Sequence, residues 1–434
     1  MLSSVAMRVI SSFGLCLPVL ATAFTLGLSG PAAAQGPDSR DYIVTFAEGA
    51  DAPARGRAAT AAGGTLLRSF RGVRAAAVRV PNDAALARLA ADPSVLSVVP
   101  DRRVSAYQKG KPGGGGSTGG GGQVMPAGVT RVGVPTASSS GAGIGVAILD
   151  TGIDLAHADL TGTVNAFSAF GGSCADDEGH GTHVAGTVAG RNNTVGVVGV
   201  APSAGLYCVK VLDGNGGGTD ATIMAGLDWV LDSHAAVTPK IRVVNMSLGR
   251  PGDIGDNTAL RDLIAALEDA GVAVVVSAGN DASAEASQMI PAGYPEVISV
   301  ASTTAIAGTN GCRRLASPIA ADTASFFTTD GASVTVSAPG EDSESVNTAC
   351  LISSLGILSL KLGGGTTRMS GTSMAAPHVA GILARYFQLN PSSGVALARQ
   401  YVRDGAAGRG VAPRNSPTTS YTFDGVREGV AQAP

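Results

Sequence analysis

Ser370-Gly371-Thr372-Ser373-Met374-Ala375-Ala376-Pro377-His378 carries a Gly-containing loop straight into a long apolar helix. A serine at that junction has its hydroxyl at the positive end of the helix, facing backbone N–H groups that lack partners within it. The setting suits a nucleophile whose reaction builds an oxyanion beside it. It suits an ordinary N-cap serine equally well, so the segment by itself leaves both readings open. Two other stretches separate them.

A serine hydroxyl attacks readily only when a base takes its proton and a third group holds the base. The histidines are His157, His180, His183, His234 and His378. His180 lies in Asp177-Glu178-Gly179-His180-Gly181-Thr182-His183-Val184-Ala185-Gly186, where small neighbours leave room for a substrate and a helix can begin at once. His180 and His183 do not read as a metal pair, because no HExxH is present. His157 and His234 read as surface residues and His378 as a packed helix residue. Asp150 closes the apolar strand Ile144-Gly145-Val146-Ala147-Ile148-Leu149-Asp150 and precedes Thr151-Gly152. Functional side chains collect at the C-terminal ends of parallel strands. The chain order is Asp, His, Ser, one of several in which such a triad occurs on unrelated folds.

Leu149-Asp150-Thr151-Gly152-Ile153, His180-Gly181-Thr182-His183-Val184-Ala185-Gly186 and Gly371-Thr372-Ser373-Met374-Ala375-Ala376-Pro377-His378 resemble, in this order, the three signature segments of the subtilisin-like serine proteases. The resemblance covers residues 41–425. It implies an endopeptidase that works through an acyl-enzyme, with Asp150, His180 and Ser373 catalytic. Asn280, in Ala278-Gly279-Asn280-Asp281, is then the side-chain oxyanion donor; without the resemblance it would read as an Asx turn after a strand. A catalytically inactive subtilase that only binds peptides is the alternative, against which the intact Asp150, His180, Asn280 and Ser373 argue. An esterase of the α/β-hydrolase type needs Gly-x-Ser-x-Gly, and Asn245-Met246-Ser247-Leu248-Gly249 lacks the first glycine. A Rossmann reading of Gly141-Ala142-Gly143-Ile144-Gly145-Val146 fails because these glycines precede the strand and the sixth position is Val.

The 434 residues, 44% hydrophobic and 15% charged with net charge −3, allow a large core and two domains. Near-neutral charge gives no electrostatic case for nucleic acid. Arg8, the apolar run from Val9 to Leu28, and Ala32-Ala33-Ala34 before Gln35 read as a secretory signal cut after Ala34. Its Gly, Ser and Pro content argues against a membrane anchor, and no other stretch could span a bilayer. The product is expected outside the cytoplasm, extracellular or periplasmic. Cys174, Cys208, Cys312 and Cys350 remain, and four cysteines of an exported chain suggest two disulfides among three possible pairings. Cys174, just before the His180 loop, and Cys208, in a strand leading from that region, are the favoured pair. That leaves Cys312 with Cys350.

Residues 35–107 read as a small α/β unit. Tyr42–Phe46, Thr65–Phe70, Ala75–Val80 and Val95–Val99 are strand-like. Ala54–Ala62 and a segment begun by Pro81-Asn82-Asp83 are helix-like, Pro53 suiting a helix start. The βαββαβ order is ferredoxin-like, and the unit resembles the inhibitory propeptide of the family. Residues 108–122 form a Gly-rich linker of flexible composition. Residues 123–425 alternate strands (Leu206–Leu212, Ile241–Met246, Val272–Ser277, Val297–Val300) with helices (Asp220–Leu231, Thr258–Ala270). That alternation predicts a mainly parallel sheet covered on both faces, the three-layer α/β fold that the resemblance also implies. Residues 426–434 are left as a tail.

The resemblance also assigns Gly216-Gly217-Gly218 and Ser247-Leu248-Gly249 as the two edges that pair with an extended substrate. Small residues at Gly249, Ala278 and Gly279 suggest a roomy apolar pocket for the residue before the cut, hence broad specificity with an apolar preference. Asn192-Asn193-Thr194-Val195-Gly196-Val197 resembles the family's calcium loop. The matching ligands are Gln123, Asp159 and Asn193 by side chain and Arg191, Val195 and Val197 by carbonyl. No organic cofactor is expected. The partners expected are polypeptide substrates and the chain's own propeptide as intramolecular inhibitor, on a monomer without nucleic acid or, once the signal is removed, membrane.

Overall fold

The structure is a computed structural model and describes residues 40–107, 122–408, 411–417 and 422–434. The signal segment 1–34 and, save Gly122, the linker 108–122 lie outside the described residues. The described residues belong to one compact unit.

The N-terminal part forms a four-stranded antiparallel sheet in the order Thr65–Ser69, Ala75–Arg79, Asp41–Phe46, Val95–Pro100. Helices Ala52–Ala61 and Asp83–Ala90 cross it. Both start where sequence chemistry sets them: Asp51 and Asn82 accept from the N–H groups of Ala54 and Ala85 at 2.8 and 2.9 Å. Val44, Phe46, Ala59, Val78 and Leu89 fill one side of the sheet. From the other side Ile43, Ala75 and Ala77, with Phe70, join the core that contains Leu227, Leu260 and Leu263 of the larger part. Asp228 fastens this contact by accepting from the N–H groups of Arg71 and Gly72 at 2.9 and 2.7 Å.

The larger part is built on nine strands in the order Thr366–Met369, Ile352–Leu360, Val336–Val346, Ile298–Thr304, Ala273–Ser277, Ile241–Met246, Gly145–Asp150, Gly205–Lys210, Val164–Ser168. The first two pairings are antiparallel and the rest parallel. Every residue of Gly145–Asp150 is buried, which is why that stretch is apolar without alternation. Its side chains still divide by parity. Val146 and Ile148 pack in the core with helices His180–Ala189 and Thr372–Leu389. Ala147 and Leu149 pack in the opposite core with Asp220–Ser233 and Thr258–Asp269. Leu260, Leu263, Ile264 and Leu267 are the buried stripe of the last helix, each contributing roughly 1.5–3 kcal/mol of burial. Cys174 is bonded to Cys208 and Cys312 to Cys350.

Three features differ from expectation. Residues 426–434 are not a loose tail: Val430, Ala431 and Ala433 are buried, Ala433 N–H donates to Val132 O at 2.7 Å, and Arg427 pairs with buried Asp330 at 2.7 Å. The segment is too short and too mixed in composition to carry a period. His157 is buried, not surface-exposed; its Nδ1 accepts from Asp159 N–H at 3.1 Å, capping the start of the helical turn Ala158–Leu160. The long strand Val336–Val346 hides behind its charges. Glu341 and Glu344 are fully buried there, and burial followed by their mutual proximity drives the Glu341 carboxyl well above its ordinary range. A protonated acid can occupy a strand interior that an ionised one could not. Among the described residues, no helix is long and apolar enough to cross a membrane.

Candidate active site

Asp150 and His180 stand on adjoining elements, the end of the central strand Gly145–Asp150 and the first residue of helix His180–Ala189. Asp150 Oδ1 accepts from Thr151 N–H at 2.7 Å and lies 2.8 Å from His180 Nδ1. That contact leaves Nε2 as the free nitrogen, and it is buried with no hydrogen-bond partner. Burial works against the charged ring, but the Asp150 carboxylate, with Glu178 and Asp176 adding to it, outweighs burial and holds the His180 pKa above its ordinary 6.5. Only the neutral ring can accept a proton, so a reaction that uses His180 as its base should slow as pH drops through that raised value. A kcat/KM profile is expected to show its rising limb above pH 6.5; a plateau extending well below it would contradict the coupling.

A residue absent from the sequence reading fixes this corner. Buried Asp176 accepts from Thr151 Oγ1 at 2.9 Å, from the N–H groups of Glu178 and Gly179 at 3.0 Å each, and from Thr182 Oγ1 at 2.5 Å. It therefore ties the loop after Asp150 to the turn that launches the His180 helix. The acidic run Asp176-Asp177-Glu178 before His180 was the available signal.

Ser373 lies in the first turn of Thr372–Leu389, fully buried. Its Oγ donates to Ser247 O at 3.0 Å, and Ser247 Oγ donates back to Ser373 O at 2.8 Å. The hydroxyl is thus parked on a backbone acceptor and not on His180 Nε2. Asn280, at the end of the segment following Ala273–Ser277, is oriented by Thr372: its Oδ1 accepts from Thr372 N–H and Oγ1, both at 2.9 Å. With its oxygen so used, its Nδ2 faces the cleft and donates to the carbonyl of Tyr107 at 2.8 Å. Thr372 was quoted in sequence only as a neighbour of Ser373.

The cleft is filled by the chain itself. Strand Arg103–Ala106 runs antiparallel between Gly217–Thr219 and Leu248–Pro251. Ala106 N–H donates to Gly216 O at 3.0 Å and Tyr107 N–H to Ser247 O at 3.3 Å. Gly216, Gly217, Gly218, Ser247, Leu248 and Gly249 therefore all border this strand. Val104 is buried among apolar side chains, while Arg103 and Ser105 are exposed. The Tyr107 ring lies against Gly249: a Cβ there would stand 2.7 Å from Tyr107 Oη and 2.8 Å from Cε2. The Tyr107 hydroxyl is buried without a partner, and burial pushes its pKa up.

On the far side of helix His180–Ala189, Gln123 Nε2 has four oxygens around it: Arg191 O at 2.5 Å, Val195 O at 3.1 Å, Asn193 Oδ1 at 3.2 Å and Val197 O at 3.5 Å. Asp159 borders the group through Asn193 Nδ2 at 2.8 Å and Val197 N–H at 2.9 Å. Gly196, with φ +63°, lets the loop close over Asp159, whose Oδ2 would be 2.4 Å from a Cβ there. Among the described residues no three His, Cys, Asp or Glu side chains gather as metal ligands.

The chain matches the subtilase family over residues 141–423. This protein is a subtilase. It is 32% identical to subtilisin E of Bacillus subtilis over 375 residues, 84% of each chain. It is 36% identical to the extracellular serine proteinase of a Thermus species over 324 residues, 74% of this chain and 68% of that one. Its fold is similar to that of fervidolysin from Fervidobacterium pennivorans, with TM-score 0.65 at 23% identity, covering 91% of this chain but 60% of that structure. A cold-adapted subtilisin-like serine proteinase aligns with TM-score 0.51 at 28% identity, over 69% of this chain and 92% of its own. The subtilase is a serine endopeptidase of the subtilisin type with the expected mainly parallel α/β fold.

Proposed function

We propose that the subtilase is an exported zymogen whose residues 35–107 are an inhibitory propeptide and whose cleft carries Asp150, His180, Ser373 and Asn280 as its catalytic set. The observation that carries this reading is the Tyr107 carbonyl on Asn280 Nδ2 at 2.8 Å, with the preceding strand paired on both edges. A peptide held that way presents the bond after Tyr107 for attack. Ser373 Oγ leaves the Ser247 carbonyl and adds to the carbonyl carbon, while His180 Nε2 takes its proton under the hold of Asp150. Asn280 Nδ2 and the backbone at the helix start face the oxygen as it becomes negative. The proton passes to the departing amine; water then repeats the sequence on the acyl-enzyme. Buried Val104 and the Tyr107 ring on Gly249 support apolar preference at these two positions. The apolar leader and the kinship with an extracellular proteinase support export.

Maturation tests the reading. N-terminal sequencing of the earliest processed species should give a start at Gln108; a first-formed start at Gly122 or Gln123 defeats it.

Calcium fits the Gln123 group. One amide nitrogen with two hydrogens cannot serve four converging oxygens, whereas Ca²⁺ takes six to eight of them. Gln123 with its oxygen turned inward, Asp159 and Asn193 would hold the ion together with the carbonyls of Arg191, Val195 and Val197. The bound ion would stabilise the native state without entering the chemistry. Saturating calcium at a hundredfold excess over Kd adds about 2.7 kcal/mol, or about 4 °C for a unit of about 300 residues. A chelator is expected to lower Tm by that amount and to leave turnover at moderate temperature nearly unchanged. A Tm indifferent to chelation would rule the site out.

A further inference from the structure

Arg102 is the sixth residue before the bond that follows Tyr107. Its guanidinium Nη1 lies 2.7 Å from Asp256 Oδ2, at the outer end of the cleft. Asp256 belongs to a small charge cluster beneath it. Buried Arg250 pairs with Asp220 through Nε at 3.0 Å and Nη2 at 2.8 Å, and reaches Asp256 through Nη1 at 3.1 Å. Asn257 Nδ2 adds a further contact to Asp220 at 3.1 Å. Two carboxylates thus share one guanidinium, and the cluster is one positive charge short. Arg102 supplies it.

The position of Arg102 is fixed by backbone pairing along the cleft, next to Asp101, whose N–H donates to Asp41 O of the N-terminal unit at 2.9 Å. Arg102 O accepts from Asp220 N–H at 2.9 Å, and Arg103, Val104 and Ser105 pair in register with Thr219, Gly218 and Gly217. Any extended peptide in this register delivers its own sixth residue to Asp256. We infer that Asp256 is a specificity determinant that favours a cationic residue six positions before the scissile bond. This rests on the reading of Tyr107 as the residue before the cut. The Arg102 side chain is 46% exposed and Asp256 16%, so the pair is of the surface kind and salt-sensitive.

The test uses processed enzyme and synthetic peptides that repeat residues 102–112, with Arg, Gln or Glu at the first position. At low ionic strength kcat/KM should fall about two- to fivefold from Arg to Gln, the range of an exposed ion pair, and further to Glu. The ratio should shrink at high salt, vanish in Asp256→Asn, and be larger than that for the same change at the exposed Arg103 position. Equal kcat/KM for Arg and Glu at low salt, or a ratio preserved in a folded Asp256→Asn enzyme, overturns the inference. If Asp256→Asn fails to fold because Arg250 loses a partner, the Arg-to-Glu ratio and its salt dependence in the wild type still decide. Cleavage elsewhere than after the tyrosine would defeat the underlying assignment instead, so the two failures are told apart by product mass.

Discussion

Ser373→Ala will abolish peptide hydrolysis and leave the chain uncut after Tyr107. The helix start at Thr372 puts Ser373 beside the carbonyl of Ser247 and in the same segment as the Thr372 groups that orient Asn280. Removing Oγ gives up only its bond to Ser247 O, which still accepts from Tyr107 N–H at 3.3 Å, so fold and peptide pairing should survive while the acyl-enzyme cannot form. The expected loss in turnover is about 10⁶-fold, a figure that belongs to subtilisin itself and is not obtained from this structure. Intact mass of the purified variant and its rate on a chromogenic peptide measure both halves. A Ser373→Ala protein that still matures when expressed alone would remove Ser373 from the mechanism.

Asn280→Ala should cost about 10²–10³-fold in kcat with little change in KM, again the size known for such a donor in subtilisin. The reasoning is local. Nδ2 reaches the Tyr107 carbonyl oxygen at 2.8 Å, and on the proposed reading that oxygen gains its charge only as the tetrahedral species forms. Asn280→Asp is the sharper control, because it keeps the shape and cannot donate when ionised. It also turns both Thr372 donors toward a carboxylate. Equal kcat in wild type and both variants would show that Asn280 only closes a turn.

The sequence made the parallel core legible because burial on both faces writes itself as unbroken apolar runs. Ile241–Met246 begins and ends where its composition says, and the helix stripe Leu260, Leu263, Ile264, Leu267 faces the core as its spacing requires. Val336–Val346 was invisible because Glu341, Asp342 and Glu344 look like loop residues until one knows that the first and last are buried together and that Asp342 pairs with Arg368. At the candidate site, side chains with distinctive chemistry stand out in the sequence: Asp150, His180, Asn280 and Ser373 come from four separate segments, each with its own short motif. What stayed hidden was carried by backbone or by common residues. Ser247 O as the resting acceptor of Ser373, and Thr372 as the group that aims Asn280, are pairings across long sequence separations that no local pattern encodes.

The strand Arg103–Ala106 between two edges of the cleft has a consequence for dose. On the proposed zymogen reading, while the bond after Tyr107 is intact Arg103–Tyr107 meets the cleft at an effective concentration set by the connecting chain, of millimolar order for a short tether. Inhibition is then the same in a crowded envelope and in a dilute medium. After the cut, occupancy depends on a bimolecular equilibrium and falls with the volume into which the complex is released. A processed but silent complex would be switched on by dilution alone, so the enzyme's activity would report how far it has travelled from the cell that made it.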